Sequence, residues 1–261
     1  PADKHELHLT NTFEVTYANI SGPGKAATTY QQGFTYWDVI GLSGKGNFGN
    51  LQYTHSFRVR FSDDRTRNNG SKFGLDQAAF GVKFGKATLV GGDFYESYSH
   101  YTNRTRLQGL NFSYLSGKDN ALDVRAMWGY AYARWDEMWR ADDLKVKERQ
   151  VAGVNLRQNL FKKRAHIGLS YIRTDDSDRQ LVNDQLYRND IGSVNYSLEL
   201  IPKKLTVSGE SAVSSTDESP RANAARKKYE GMAHRVQGVL KPSDPHTFTV
   251  LYERVDPKFR T

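Results

Sequence analysis

The chain has 261 residues, with 37 Lys plus Arg against 29 Asp plus Glu, a formal charge of +8, 12% aromatic residues and no cysteine. This is too aromatic for a disordered chain, and the lack of cysteine removes disulfide frameworks, thiolate metal sites, iron–sulfur clusters and thiol nucleophiles. The longest apolar stretch, around 126–133, is far below the roughly 18 residues a transmembrane helix needs, no secretory leader pattern opens the sequence, and no basic run interleaved with aromatics points to nucleic acid.

The hydrophobic signal repeats every two residues, as in a strand with two unlike faces. Alternation starts around Phe13 and continues past Tyr36. Over 51–61, Leu51, Tyr53, His55, Phe57, Val59 and Phe61 share one face, and Gln52, Thr54, Ser56, Arg58 and Arg60 the other. Strands around Phe80 and Phe112 follow. Then Leu122, Val124, Ala126, Trp128 and Tyr130 oppose Asp123 and Arg125. After strands at Val154 and Leu169, Val194, Tyr196, Leu198 and Leu200 oppose Ser193, Asn195, Ser197 and Glu199, and the last three strands centre on Val207, Val236 and Val250. The spacing predicts about thirteen strands, each roughly twice the usual five or six residues. Strands of that length suit the nine to eleven tilted residues that cross a bilayer.

The connections alternate. Short hairpin turns rich in Gly, Pro, Asn and Asp are expected at 44–47, 85–86, 116–120, 162–164, 202–204 and 241–245. Long polar loops are expected at 62–71, 136–147, 174–190 and 215–228. Short turns at one end and long loops at the other predict an all-β, antiparallel up-and-down transmembrane β-barrel in the bacterial outer membrane, with long loops outside and short turns in the periplasm. A large soluble antiparallel sandwich is the competing reading. Aromatics near strand ends (Tyr36, Trp37, Phe84, Tyr130, Tyr132, Trp135) are expected as interfacial girdles.

In this architecture the whole chain resembles bacterial outer-membrane barrels of the porin-like class. The stretch Gly91-Gly92-Asp93-Phe94-Tyr95-Glu96-Ser97, with Arg106 and Gly109, is similar to a segment that recurs in large barrels; no function is carried over from it. The chain ends Asp256-Pro257-Lys258-Phe259-Arg260-Thr261, without the terminal aromatic strand usual in the class. An odd strand number and that ending predict one barrel domain over 1–261 that belongs to a larger barrel.

By strand parity the lumen-facing charges are Arg58, Arg60, Lys83, Arg125, Arg149, Arg157 and Arg235, with Asp123, Glu199 and Glu210 and, by the same parity, Glu14 and Glu253. Basic rings favour anions entering a pore, and a cross-strand network of paired charges is the alternative. Acidic pairs mark the long-loop rim: Asp63 and Asp64, Asp136 and Glu137, Asp175 and Asp176, Asp217 and Glu218. They suit a hard divalent cation or a cation bridge to lipid phosphate, or else simply end strands. No EF-hand spacing occurs, and His5-Glu6-Leu7-His8 is too short for a helical zinc motif, so no metal or cofactor is expected. His55, or His100 beside Ser99, is a conceivable part of a lipid-hydrolase site. Nothing in the sequence holds nucleophile, base and orienting residue together, and no Gly-x-Ser-x-Gly elbow is present, so no enzymatic activity is expected.

The leading expectation is a porin or channel for small polar or anionic solutes. The alternatives are a structural barrel that houses a lipoprotein, a secretion component or an electron-conduit haem protein, and a lipid-modifying enzyme. The expected surroundings are outer-membrane lipid and lipopolysaccharide, with a periplasmic or lipoprotein partner and no nucleic acid.

Overall fold

The computed structural model describes residues 4–23, 31–64, 72–102, 106–131, 135, 149–176, 186–219 and 227–261. Tyr132, Asp136 and Glu137 lie outside them. The described residues form thirteen strands: β1 (His5–Ala18), β2 (Gly33–Phe48), β3 (Leu51–Ser62), β4 (Phe73–Phe84), β5 (Ala87–Tyr95), β6 (Arg106–Leu115), β7 (Leu122–Tyr130), β8 (Arg149–Leu160), β9 (Ala165–Asp176), β10 (Leu186–Ile201), β11 (Leu205–Ser219), β12 (Lys227–Ser243) and β13 (His246–Val255). They follow one another in the sheet in sequence order. Two compact units divide the chain: one carries β1 to β4 with Val90–Asp93 of β5, the other the rest of β5 and β6 to β13.

In the first unit, β1 to β4 pair antiparallel in order. The turn expected at 44–47 falls instead at Gly49 and Asn50, and Gly44 and Gly46 lie inside β2. These glycines are not turn formers. A Cβ on Gly46 would lie 2.5 Å from the Tyr53 hydroxyl, and one on Gly44 would lie 2.6 Å from the His55 ring, so their missing side chains let the β3 rings lie across β2. Tyr53 thereby reaches His5 on β1, its hydroxyl 2.8 Å from Nδ1. Trp37 also departs from expectation: it is paired opposite Ser62, on the polar face, with the Arg60 guanidinium 4.9 Å from its ring centre.

In the second unit, β6 to β13 pair antiparallel without interruption. Over β6 to β10 one face is apolar and open, and across β11 to β13 its central row continues as Ser211, His234 and Arg254. A single cross-strand row runs Tyr114, Val124, Leu156, Leu169, Val194, and Leu156, Leu169 and Val194 are each more than 40% exposed. Along β10 this outer face reads Gly192, Val194, Tyr196, Leu198, Leu200, a nine-residue span of the length that crosses hydrocarbon when tilted. The outer rows that follow at the long-loop end are charged: Arg173, Asp190, Ser215 and Glu230, then Asp175, Arg188, Asp217 and Lys228. The loops expected at 174–190 and 215–228 are correspondingly shorter, because β9 to β12 run on as polar strands with Asp217 opposite Lys228 and Glu218 opposite Lys227.

Candidate functional site: the inner face of the second unit

The inner face is built from rows of alternate residues, and one row carries most of its charge. Successive registers align Asp123, Arg157, Gly168, Asn195, Glu210, Arg235 and Glu253 across β7 to β13. Each comes from a period-2 position, so the row follows directly from strand register.

The segment after β5 folds against this row. The Gly91-to-Ser97 stretch explains how it leaves the sheet. Gly92 has φ +97°, and a Cβ there would lie 2.1 Å from the Ala78 carbonyl oxygen. Buried Asp93 accepts the Ala78 amide at 2.7 Å and the Trp135 indole N–H at 2.6 Å, so Trp135 serves as a donor to a buried carboxylate, not as a girdle residue. Glu96 accepts from Arg125 and Asn111, both at 2.9 Å. Beyond it, Tyr98 donates to the Gly153 carbonyl at 3.2 Å. Ser99 Oγ donates to Glu210 at 2.5 Å, and the His100 amide donates to the other Glu210 oxygen at 2.9 Å. The His100 ring lies 3.4 Å from Glu253 and 3.0 Å from Arg235, and the Tyr101 hydroxyl donates to Glu253 at 2.6 Å. Burial, and for Tyr101 the bond to Glu253, push both phenol pKa values well above the ordinary tyrosine range.

The residues after β13 also cover the inner face. Phe259 is buried with Tyr101, Ala212 and Ala233, its ring edge-on to Tyr101 at 5.5 Å. Arg260 donates its amide to Ser214 Oγ at 3.1 Å, and its carbonyl accepts from Asn189 at 3.1 Å.

The other charges singled out by parity are largely committed. Arg60 pairs with Asp76 while itself buried. Arg125 binds Asp123 and Glu96, and Arg149 clasps the fully buried Asp176 through two bonds at 2.8 and 3.3 Å. Glu199 sits beside the 202–204 turn and accepts the Lys203 amide at 2.5 Å. Lys83 lies opposite Gln52, and Arg58 between Gly41 and Gln77. Arg157 and Arg235 differ: neither lies within ion-pair distance of a carboxylate among the described residues. Arg157 donates to His166 Nδ1 at 3.0 Å, and Arg235 contacts His100 and Gln237. Both line a cavity of about 310 Å³ together with Tyr98, Ser99 and Glu210.

The acidic rim does not assemble as a cation site among the described residues. Asp63 accepts the Tyr36 amide at 2.7 Å, and the Asp64 amide donates to Ser62, which is strand-end chemistry. Asp175 is held by Arg188 at 2.8 Å and Arg173 at 3.3 Å, and Asp217 and Glu218 face lysines across the β11–β12 ladder.

No family model matches the chain, and no curated protein sequence matches it. Among solved structures it is similar to OmpT of Vibrio cholerae, an outer-membrane protein. For a form lacking loop L8 the TM-score is 0.43 at 10% identity, covering 98% of this chain and 94% of that one. For the in-vitro folded form the TM-score is 0.40 at 10% identity, covering 98% and 88%. The described strands form a thirteen-stranded antiparallel up-and-down sheet, the strand order of an outer-membrane β-barrel wall. Long strands, a nine-residue apolar outer span and charged rows bounding it are the features of a sheet that crosses an outer membrane.

The expectation of no enzymatic activity is corrected. It rested on nothing holding a serine, a histidine and a carboxylate together, and the segment after β5 brings Ser99, His100, Glu210 and Glu253 into one cluster. No local spacing could have revealed the cluster, because Ser99 and Glu210 are 111 residues apart.

Proposed function

We propose that the inner face lines an aqueous pathway across the outer membrane for small polar solutes, with a preference for anions. The observation that carries this reading is the unequal commitment of its charges. Glu210 and Glu253 already accept hydrogen bonds from the segment after β5, and Asp123 and Asp176 are paired with arginine. Arg157 and Arg235 present guanidinium groups to the cavity with only neutral or histidine partners. Arg235 stands between Glu210 and Glu253 in the row, so the lining carries two arginines against one carboxylate and favours anions only modestly, while the segment 96–102 narrows the passage there. Selection is therefore by size and charge. Reconstitution into planar lipid bilayers tests the reading: discrete conductance steps in potassium chloride are expected, and a chain that folds and inserts without conducting would refute it.

A further inference from the structure

We propose that the cavity beneath Tyr98 and Ser99 is a saturable binding site for a short hydroxylated dicarboxylate, a dianion with hydroxyl groups between two carboxylate ends. The proposal rests on the reading of the inner face as a solute pathway and adds to it a defined ligand class.

Three features of the cavity point to that class. The first is the placement of the cations. Arg157 on β8 and Arg235 on β12 share one cross-strand row but are separated by β9, β10 and β11, so their Cα atoms stand about 19 Å apart measured along the sheet, four inter-strand spacings. A short chain charged at each end gives each of two such guanidinium groups a carboxylate of its own.

The second is the floor between them. It carries Asn195, Ser197 and Ser208, neutral groups that both donate and accept, the pattern that recognises hydroxyls. Arg157 can only donate, so His166 Nδ1 is the acceptor of their 3.0 Å bond, which puts the proton of a neutral ring on Nε2 as a further donor.

The third is the charge balance of the lining, which carries two arginines against one carboxylate, with Glu253 outside it and across the ladder from Arg235. Glu210 is the one carboxylate lining the cavity, and its two oxygens already accept from Ser99 and the His100 amide. A volume of about 310 Å³ lies at the lower end of small-molecule sites and suits a ligand of this size.

Isothermal titration of the intact, detergent-folded chain tests the assignment with D-glucarate as the dianion, D-gluconate as the monoanion and D-glucitol as the uncharged polyol. Saturable glucarate binding is expected, with gluconate at least about tenfold weaker and glucitol undetectable. Arg157→Gln and Arg235→Gln should each weaken glucarate binding by about tenfold or more, with strand content by circular dichroism unchanged. The three-ligand comparison on the unaltered chain stands even if a variant misfolds. Equal binding of glucitol and glucarate, or no saturable glucarate binding, would overturn the site. A chain that conducts chloride but does not bind glucarate loses the site and keeps the pathway, and one that binds glucarate without conducting does the reverse.

Discussion

Ser99 Oγ and Glu210, 111 residues apart in sequence, are joined by a 2.5 Å hydrogen bond that pins the segment after β5 to the wall of β11. The same carboxylate accepts the His100 amide, so two docking contacts depend on one side chain. Glu210→Ala should release the segment while leaving the strand ladder intact, since Glu210 contributes only its side chain to the inner face. Hydrogen exchange checks this: the His100 amide should lose protection by about tenfold or more, while amides of β11 keep theirs.

Phe259 lies so close to β12 that Gly231 is required. A Cβ on Gly231 would come within 2.3 Å of the Phe259 amide nitrogen and 2.5 Å of its Cα, both backbone atoms that cannot rotate away. Gly231→Ala should therefore expel the segment after β13 from the inner face. Trypsin should then cut after Lys258 faster than in the unaltered chain, with no change in the β11–β12 pairing.

The tyrosines of the docked segment set its response to alkali. Burial raises the pKa of Tyr98, helped by the charge of Glu96; burial and the hydrogen bond to Glu253 raise that of Tyr101. A phenol whose folded-state pKa is raised adds stability that is fully present below its free value, about 10, and is lost as pH rises through the folded value. Docking should hold at neutral pH and weaken only in strong alkali. Tyrosinate absorbance and exchange at the His100 amide, followed together, should change in the same pH range; undocking below pH of about 9 would contradict the assignment.

On the outer face, Val124 lies between Tyr114 and Leu156 in the apolar row that continues to Val194. Val124→Arg should cost about 2 to 4 kcal/mol of folding stability in bilayers, the expected penalty for arginine at mid-membrane. Arg introduced at an exposed polar position on the opposite face, such as Thr54 on β3, should cost much less in the same denaturant titration.

The elements were far more legible than the site. Strict alternation, as in Val194 to Leu200, fixes both strand type and face because one face meets hydrocarbon and the other a polar interior. The glycines of β2 misled, since Gly44 and Gly46 read as turn residues when their role is to lie beneath His55 and Tyr53. Trp37 and Trp135 misled because aromatic character does not reveal a partner, here Arg60 and Asp93. The cluster at Ser99, His100, Glu210 and Glu253 is a product of chain return, and Phe259 joins it through Tyr101. Contacts of that separation leave no periodic trace.

Anion selection by the inner face is tested most directly by the zero-current potential of the reconstituted chain in a potassium chloride gradient, compared with an Arg157→Gln, Arg235→Gln double variant. The potential should show anion preference for the unaltered chain, falling to neutral or cation-preferring in the double variant, because Arg157 and Arg235 are the strand arginines lining the cavity without a carboxylate partner among the described residues. Cation preference in the unaltered chain, or identical potentials for the two proteins, would contradict the account.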